Sequence, residues 1–271
     1  MQTLPVVVFA VCVAIVLKLH TVPTIDILHV SVSTDVTLNE LLEKDNGKLF
    51  DENRLTRLGL DKLIGPESVV EDPDNPEIYY GGTADGRIVK VNGNTGFVED
   101  FTFTGGRPLG IHVLPDNNSF GDIKILVAEA LYGLIAVDRN GRITILSNSV
   151  NSTPIRYAND LDIDFENNIV YFTDCSGIPP IFDYSLQQWS TMKAALFDII
   201  SGYPSGRLLK YDFNTKETTI LLDNIAYANG VALSKDKDFI LISETGRYSI
   251  RKLWITGPKS NIIYLNNINY Y

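Results

Sequence analysis

The sequence has little cysteine and no cluster of basic residues, and both absences exclude classes of protein. Two cysteines occur in 271 residues, Cys12 in an apolar leader and Cys175 far along the chain, which excludes a disulfide framework. We interpret Cys175 as a buried free thiol, because no histidine near it in sequence could activate it. With 33 acidic and 23 basic residues the formal net charge is −10, which argues against nucleic acid or anionic lipid as the main partner.

Long apolar runs are also missing, except for one at the amino terminus. Leu4 to Leu17 is fourteen residues without a charge, followed by Lys18. This is the length of a signal-peptide core and falls short of the ~20 residues that span a bilayer. No small-residue cleavage site follows, and Lys18 can lengthen the span by snorkelling. We therefore favour an uncleaved signal anchor at residues 1–20 over a cleaved signal peptide, and expect a protein anchored in the secretory pathway or at the cell surface, or else secreted.

Two sequons agree with a secreted chain. Asn117 and Asn151 each begin an Asn-x-Ser/Thr sequon. Both sequons fall in polar turns between predicted strands, where a glycan would leave the core undisturbed. Between the leader and the main domain, residues 21–64 form a connecting arm. Its stretch LNELLEK follows a capping-box spacing and predicts a short helix.

One template recurs along the chain and organises the rest. A short loop leads into an alternating strand, a polar turn, a second strand and a further hairpin, as in ANDLDIDFENNIVYFTD. The copies begin at Glu67, Leu109, Asn159 and Asn229. Such repeats of about 40 to 50 residues are typical of the blades of a β-propeller. We therefore predict an all-β propeller with about four blades at residues 65–259, followed by an atypical tail at 260–271.

The third copy is followed by a long insertion. Within it Trp189, Met192, Leu196 and Ile199 recur at steps of three, four and three residues. This spacing predicts an amphipathic helix over SLQQWSTMKAALFDII with Ser185 as its N-cap. The helix either adds to the core or caps the mouth of the channel, where it would shape a pocket for an apolar substrate.

Three polar residues occupy the same template position in different repeats. Ring symmetry is expected to bring Glu67, Asn159 and Asn229 together on the propeller axis, although they are far apart in sequence. One carboxylate and two carboxamide oxygens are ligands that Ca²⁺ prefers, with water completing the shell. The alternative is that the asparagines make turn hydrogen bonds and that Glu67 is a solvated channel residue.

His112 lies on the predicted inner strand of the second blade. A packed or hydrogen-bonded histidine and a general base both agree with this position. We retain His112 as a candidate catalytic residue on that basis.

The motifs in these repeats resemble those of the strictosidine synthase-like family. They are GPES, TADGRIVK, GRPLGI, NDLDID with YFTD, GRLLKYD with TKETTILLD, and ANGVALSKDKDFILISET with a closing GPK. The resemblance covers about Gly65 to Lys259 and is closest to the animal branch, the adipocyte plasma membrane-associated proteins and hemomucin.

The resemblance implies a six-bladed propeller in an anchored or secreted glycoprotein, related to calcium-dependent paraoxonases and lactonases. In the paraoxonase pattern the metal is held by a glutamate after the first blade's opening proline and by asparagines that open later blades, which correspond to Glu67, Asn159 and Asn229. Animal members are associated with arylesterase-like activity, and plant members include a condensing synthase.

The chain also departs from the family pattern. The template ends after four copies, and the later segment that carries the family's Asp-Asn metal pair and the synthase's catalytic glutamate has no counterpart. Leu109 stands where paraoxonases keep a catalytic histidine, and His112 is three residues further on. The cysteine pair before GRPLG is missing. Because an open ring exposes strand edges, we expect a fragment, a misjoined gene product or a degenerate paralogue.

Three functions follow. The first is a calcium-dependent hydrolase of small apolar esters or lactones, similar to arylesterases and lactonases, or the remnant of one. The second is a surface binding or adhesion propeller without chemistry. The third is a condensing synthase, which the missing glutamate disfavours.

Overall fold

The structure is a computed structural model that describes residues 56–260 and 263–267. The predicted leader at 1–20 and the predicted helix LNELLEK lie outside the described residues. Within the described ranges the chain forms twenty strands, one α-helix and a short 3₁₀ helix at Thr245–Arg247.

Four antiparallel sheets of four strands each follow one another along the chain. The first contains β1 (Glu67–Asp72), β2 (Asn75–Gly82), β3 (Arg87–Asn92) and β4 (Val98–Phe103). The second contains β5 (Pro108–Val113), β6 (Ile123–Glu129), β7 (Gly133–Asp138) and β8 (Ile143–Ser147). A short pair, β9 (Ser149–Val150) and β10 (Thr153–Pro154), leads to the third sheet.

The third sheet is interrupted by the insertion. It contains β11 (Ala158–Asp164), β12 (Ile169–Asp174), β15 (Gly206–Asp212) and β16 (Glu217–Ile225). The insertion contributes β13 (Ile181–Asp183), β14 (Gln188–Ser190) and helix α1 (Thr191–Ser201). The fourth sheet contains β17 (Ala228–Leu233), β18 (Phe239–Glu244), β19 (Ser249–Trp254) and β20 (Ile263–Asn267).

Successive sheets pack face to face through three apolar clusters. One cluster contains Ile88 of the first sheet and Ile135 of the second. A second contains Leu126 of the second sheet and Phe172 of the third, and a further one contains Leu208 of the third sheet and Ile242 of the fourth. All six side chains are fully buried. The innermost strands β1, β5, β11 and β17 lie side by side in that order. This arrangement confirms the all-β propeller prediction and its four blades.

Every innermost strand has an irregular register near its start. The pairing of β1, β5, β11 and β17 with the next strand shifts at the beginning of each. Such bulges bend the strand and re-aim a side chain. The shifts span Ser68, Leu109, Asn159 and Asn229, so the same local distortion recurs where each repeat begins.

The insertion differs from its prediction. The helix begins at Thr191 with Ser190 as its N-cap, whose side chain accepts a hydrogen bond from the Lys193 N–H. Ser185 instead belongs to the β13–β14 turn, where its hydroxyl donates to Asp183. The segment around Trp189 is strand, because its backbone pairs with β13. The helical spacing was correct for the second half of the segment alone.

The predicted tail contains a strand that the template did not reveal. Ile263–Asn267 pairs with β19 and completes the fourth sheet. No helix in the described part of the chain is long and apolar enough to cross a bilayer.

Candidate functional site

A cavity of about 250 Å³ lies where the innermost strands begin. Its walls come from all four sheets: Glu67, Ser68, Leu109, Gly110, Asn159, Asp160 and Asn229. The structure therefore brings together the three residues that the sequence nominates as metal ligands. Glu67 is about half exposed while Asn159 is buried, so the Glu67 side chain is the more accessible of the two to solvent.

Glu67 is held by an arginine that the sequence reasoning did not include. Arg107 Nη2 donates to Glu67 Oε2 at 3.2 Å, and Arg107 Nη1 donates to the Gly65 carbonyl at 2.9 Å. Burial lowers the pKa of the Arg107 guanidinium, although the carboxylate of Glu67 acts in the opposite direction. The pair occupies one carboxylate oxygen of Glu67 and leaves Oε1 outside this contact.

The two asparagines are held differently. Asn229 Nδ2 donates to Thr245 Oγ1 at 3.2 Å, which leaves the carboxamide oxygen of Asn229 to accept. The backbone carbonyl of Asn229 accepts from Thr173 Oγ1 at 2.7 Å and so ties the fourth sheet to the third. The Asn159 carboxamide makes no hydrogen bond to any residue between 56 and 260. Both side chains can therefore present an oxygen to a ligand.

Asp160 lines the same cavity and was missed by the sequence reasoning. Its Oδ2 accepts from the Val231 N–H at 2.9 Å. Burial raises the pKa of Asp160 from its ordinary value, and the hydrogen bonds from the Val231 and Leu161 N–H groups only partly offset this. The clue in the sequence was its place directly after Asn159 in a strand that alternates polar and apolar residues.

Close backbone approach keeps the cavity walls together. A side chain at Gly110 would place its Cβ 2.7 Å from the Asp160 Cα, closer than carbon atoms pack. Glycine is therefore required where the second sheet meets the third. The neighbouring contact between the first and second sheets is a hydrogen bond of 3.1 Å from the Ile111 N–H to Ser68 Oγ.

His112 is not among the residues that line the cavity. It lies three residues beyond Leu109 on β5, a rise of about 10 Å along a strand. Its ring packs against Phe165, with ring centroids 5.6 Å apart. Burial lowers the pKa of His112, while the nearby Asp162 carboxylate acts to raise it. This environment is that of a packed histidine, which was the alternative to the general base.

The donor set of the cavity suits a hard cation. Its polar side chains are two carboxylates, two carboxamides and the Ser68 hydroxyl, and carboxylate and carboxamide oxygens are ligands that Ca²⁺ takes. In the described residues there is no group of three or more His, Cys, Asp or Glu side chains that could hold a metal.

The remaining predicted residues lie away from the cavity. Cys175 is buried and free, which confirms the interpretation as a buried free thiol, and burial raises the pKa of this thiol well above the usual value. Asn117 and Asn151 are exposed in the β5–β6 and β9–β10 turns. Their glycosylation remains a prediction.

The insertion lies at the same end of the sheets as the cavity. It leaves the third sheet after Asp174, which pairs with Ala158 beside Asn159. The Trp189 N–H donates to the Ala84 carbonyl at 3.0 Å, and Trp189 Nε1 donates to the Gly105 carbonyl at 3.2 Å. Ala194 of α1 packs in a buried cluster with Leu109, a residue of the cavity wall.

Comparison with protein families gives two matches. The strictosidine synthase model matches residues 159–258, and the model for the N-terminal part of strictosidine synthase-like proteins matches residues 53–91. Protein strictosidine synthase-like 10 of Arabidopsis thaliana is 35% identical over 215 residues, which are 72% of this chain and 53% of the relative. Adipocyte plasma membrane-associated protein of Gallus gallus is 34% identical over 249 residues, 86% of this chain and 54% of the relative. The chain thus spans about half the length of these relatives.

Solved structures give a likeness of fold. A gluconolactonase from Xanthomonas campestris superposes with a TM-score of 0.56 and 14% identity, covering 74% of this chain and 62% of the other. The calcium-binding protein regucalcin from Agrobacterium tumefaciens superposes with a TM-score of 0.52 and 12% identity, covering 75% and 59%. At these identities the likeness concerns the fold alone.

Proposed function

This chain belongs to the strictosidine synthase-like family, and on that premise we propose that it hydrolyses small apolar esters or lactones. In this proposal Ca²⁺ binds in the cavity where the innermost strands begin, which we call the axial cavity. The observation that carries the proposal is the meeting of Glu67, Asn159, Asp160 and Asn229 around one cavity. The calcium-binding description of regucalcin and the lactonase description of the Xanthomonas protein support it at the level of the fold.

In this proposal three of the four proposed ligands, all but Asn159, have a positioning partner. Arg107 fixes Glu67, Thr245 fixes the amide of Asn229, and the Val231 N–H fixes Asp160. Glu67, Asn159, Asp160 and Asn229 would hold Ca²⁺, which would supply polarisation of a substrate carbonyl and stabilisation of the developing oxyanion. Leu109 adds an apolar wall that limits water on one side of the cavity. Because His112 lies outside the cavity, we do not give it the role of base.

We also propose that residues 1–20 attach the chain to a membrane. The apolar run before Lys18 and the membrane association in the name of the Gallus gallus relative support this.

Calcium titration of the full chain tests the proposal. We expect calorimetry to detect Ca²⁺ binding that Glu67→Gln weakens by about 10- to 100-fold, a loss typical of changes around a metal. Glu71→Gln is the matched control, because Glu71 is exposed on the same strand. Phenyl acetate and lactone turnover should fall with Glu67→Gln and stop on addition of a chelator. Turnover that survives chelation, or a chain that neither binds Ca²⁺ nor turns over esters, would sink the proposal.

A second candidate is a binding propeller without chemistry. It is favoured by the ion pair that already occupies Glu67 Oε2 and by the absence of histidine from the cavity wall. Ca²⁺ binding without turnover on a panel of esters and lactones would support this alternative, and measurable turnover would exclude it.

A further inference from the structure

The insertion carries eight of the eighteen large hydrophobic side chains that are exposed in the described part of the chain. On α1, Met192, Leu196 and Ile199 are 77%, 54% and 68% exposed. Ala194 and Asp198, on the opposite side of the helix, are buried. The helix is therefore amphipathic with its apolar stripe outward. We define the outer face as Met192, Leu196, Phe197, Ile199, Ile200 and Tyr203, all of which are more than half exposed.

Hydrogen bonds on the inner side of the insertion hold the outer face toward solvent. The two hydrogen bonds of Trp189 fix the insertion to Ala84 and Gly105, and Ser176 Oγ donates to the buried carboxylate of Asp198. Gly202, with φ of 62°, caps the helix by donating to the Asp198 and Ile199 carbonyls. Since these contacts hold the polar side of α1 inward, rotation of the helix to bury its apolar stripe would break them.

The insertion also lacks the negative charge of the rest of the chain. Residues 177–205 contain three charged side chains. Asp183 and Lys193 pair with each other at 2.7 Å, and Asp198 is buried. The insertion therefore carries little of the net charge of −10, and within residues 177–205 no exposed, unpaired carboxylate opposes contact with an apolar phase. At its edge Arg247 and Tyr203 line a hollow of about 160 Å³ together with Ile199.

We propose that the outer face docks on the lipid surface of a membrane and sets the mouth of the axial cavity at the bilayer. An exposed face of six large apolar side chains marks an interaction site. An apolar helix stripe with lysine, arginine and tyrosine at its margin is the composition of interfacial segments. A bilayer is favoured as occupant because the apolar run at residues 4–17 would hold the chain close to one, and in this the docking rests on the membrane attachment proposed above. The docking requires no catalysis and stands apart from the proposed hydrolase activity.

A fluorophore on the outer face tests this docking. In the full chain with Cys12→Ser, a single environment-sensitive label is attached at Leu196→Cys or, as matched control, at Ile145→Cys. Both side chains are about half exposed, and buried Cys175 stays unlabelled. With vesicles of phosphatidylcholine we expect the Leu196 label to be protected from iodide several-fold and quenched by a lipid-attached quencher, whereas the Ile145 label remains open to iodide.

Each other outcome overturns the proposal. Equal iodide access at both positions on vesicle-bound chain means that the face stays in water. Protection without vesicles that grows with protein concentration identifies a second copy as the occupant. Protection without vesicles at every concentration, lost when residues 1–20 are removed, identifies the leader of the same chain.

Discussion

The second and fourth sheets bury a glutamate at the same position, the last residue of their second strand, and surround it differently. Glu244 receives Arg251 Nε at 2.8 Å and a further hydrogen bond from Arg251 Nη2. Glu129 accepts hydrogen bonds from the Leu131 and Tyr132 N–H groups, both at 2.8 Å, and forms no ion pair with an arginine in the described part of the chain. In strand register the place of Arg251 is taken by Ile135.

The pKa values of the two carboxyl groups consequently shift in opposite directions. Burial raises the pKa of Glu129, and its hydrogen bonds only partly offset that effect. Burial acts in the same direction on Glu244, but the hydrogen bonds from Arg251 and the Ala226 N–H outweigh it and lower the pKa of Glu244. The comparison teaches that one position of the blade repeat tolerates a buried carboxyl group both with an arginine partner and with backbone N–H groups in its place.

Arg251→Met breaks the comparison most strongly. It leaves the Glu244 charge buried with only half-exposed Arg247 at 3.4 Å as a cation. We expect the free energy of unfolding to fall by about 3 to 5 kcal/mol, measured by urea denaturation. The control Arg142→Met removes an arginine that is 79% exposed and should cost less than about 1 kcal/mol. Equal losses in the two variants would contradict the assigned role of Arg251.

Gly133→Ala tests the residue that faces Glu129 across the strands. Gly133 has φ of 84°, and a Cβ there would lie 2.1 Å from the Ser147 carbonyl oxygen. We expect a loss of about 2 kcal/mol or more in urea denaturation, from left-handed strain and backbone displacement. Ser249→Ala, the matching change opposite Glu244, removes one hydrogen bond of 3.0 Å and should cost about 1 kcal/mol. The reverse order would refute the account.

Glu129→Gln sharpens the comparison with the smallest effect. Because the folded-state pKa of Glu129 is raised, its contribution to stability is present below the unfolded pKa and is lost as pH rises through the folded pKa. At neutral pH the glutamine variant should equal wild type or gain up to about 1 kcal/mol. The free energy of unfolding of the variant should also lack the decrease that ionisation of Glu129 causes in the wild type as pH rises.

Glu244→Gln should change the pH dependence of the free energy of unfolding in the sense opposite to Glu129→Gln. The lowered pKa of Glu244 stabilises the fold above the unfolded pKa, and this contribution is lost as pH falls through the folded pKa. Urea denaturation of both variants from acid to neutral pH distinguishes the two signs. Parallel slopes for the two variants would show that the arginine does not decide the protonation of these residues.

The sequence predicted the blades well because the template encodes a local pattern. Alternating residues and polar turns fix strands and hairpins by themselves, and ring symmetry then places Glu67, Asn159 and Asn229 at one end. Strand β20 escaped because KSNIIYLNNINYY carries no alternation, and its pairing with β19 depends on a tertiary contact.

What the sequence could not predict depends on neighbours from other blades. Periodicity indicated an apolar stripe on α1 but not which side the protein would cover, since Trp189 and Asp198 make that choice through distant partners. The pairing of Arg107 with Glu67 and the position of Asp160 in the cavity also arise between sheets. For the same reason His112 could not be separated from the site by spacing in the chain alone.

The anchoring of Trp189 has a practical consequence for spectroscopy. The chain contains two tryptophans, one fastened across the insertion and the other, Trp254, in the fourth sheet. The variant Trp254→Phe would leave Trp189, on the insertion, as the single tryptophan of the chain. The emission wavelength and anisotropy of Trp189 would then report movement of that segment separately from melting of the blades.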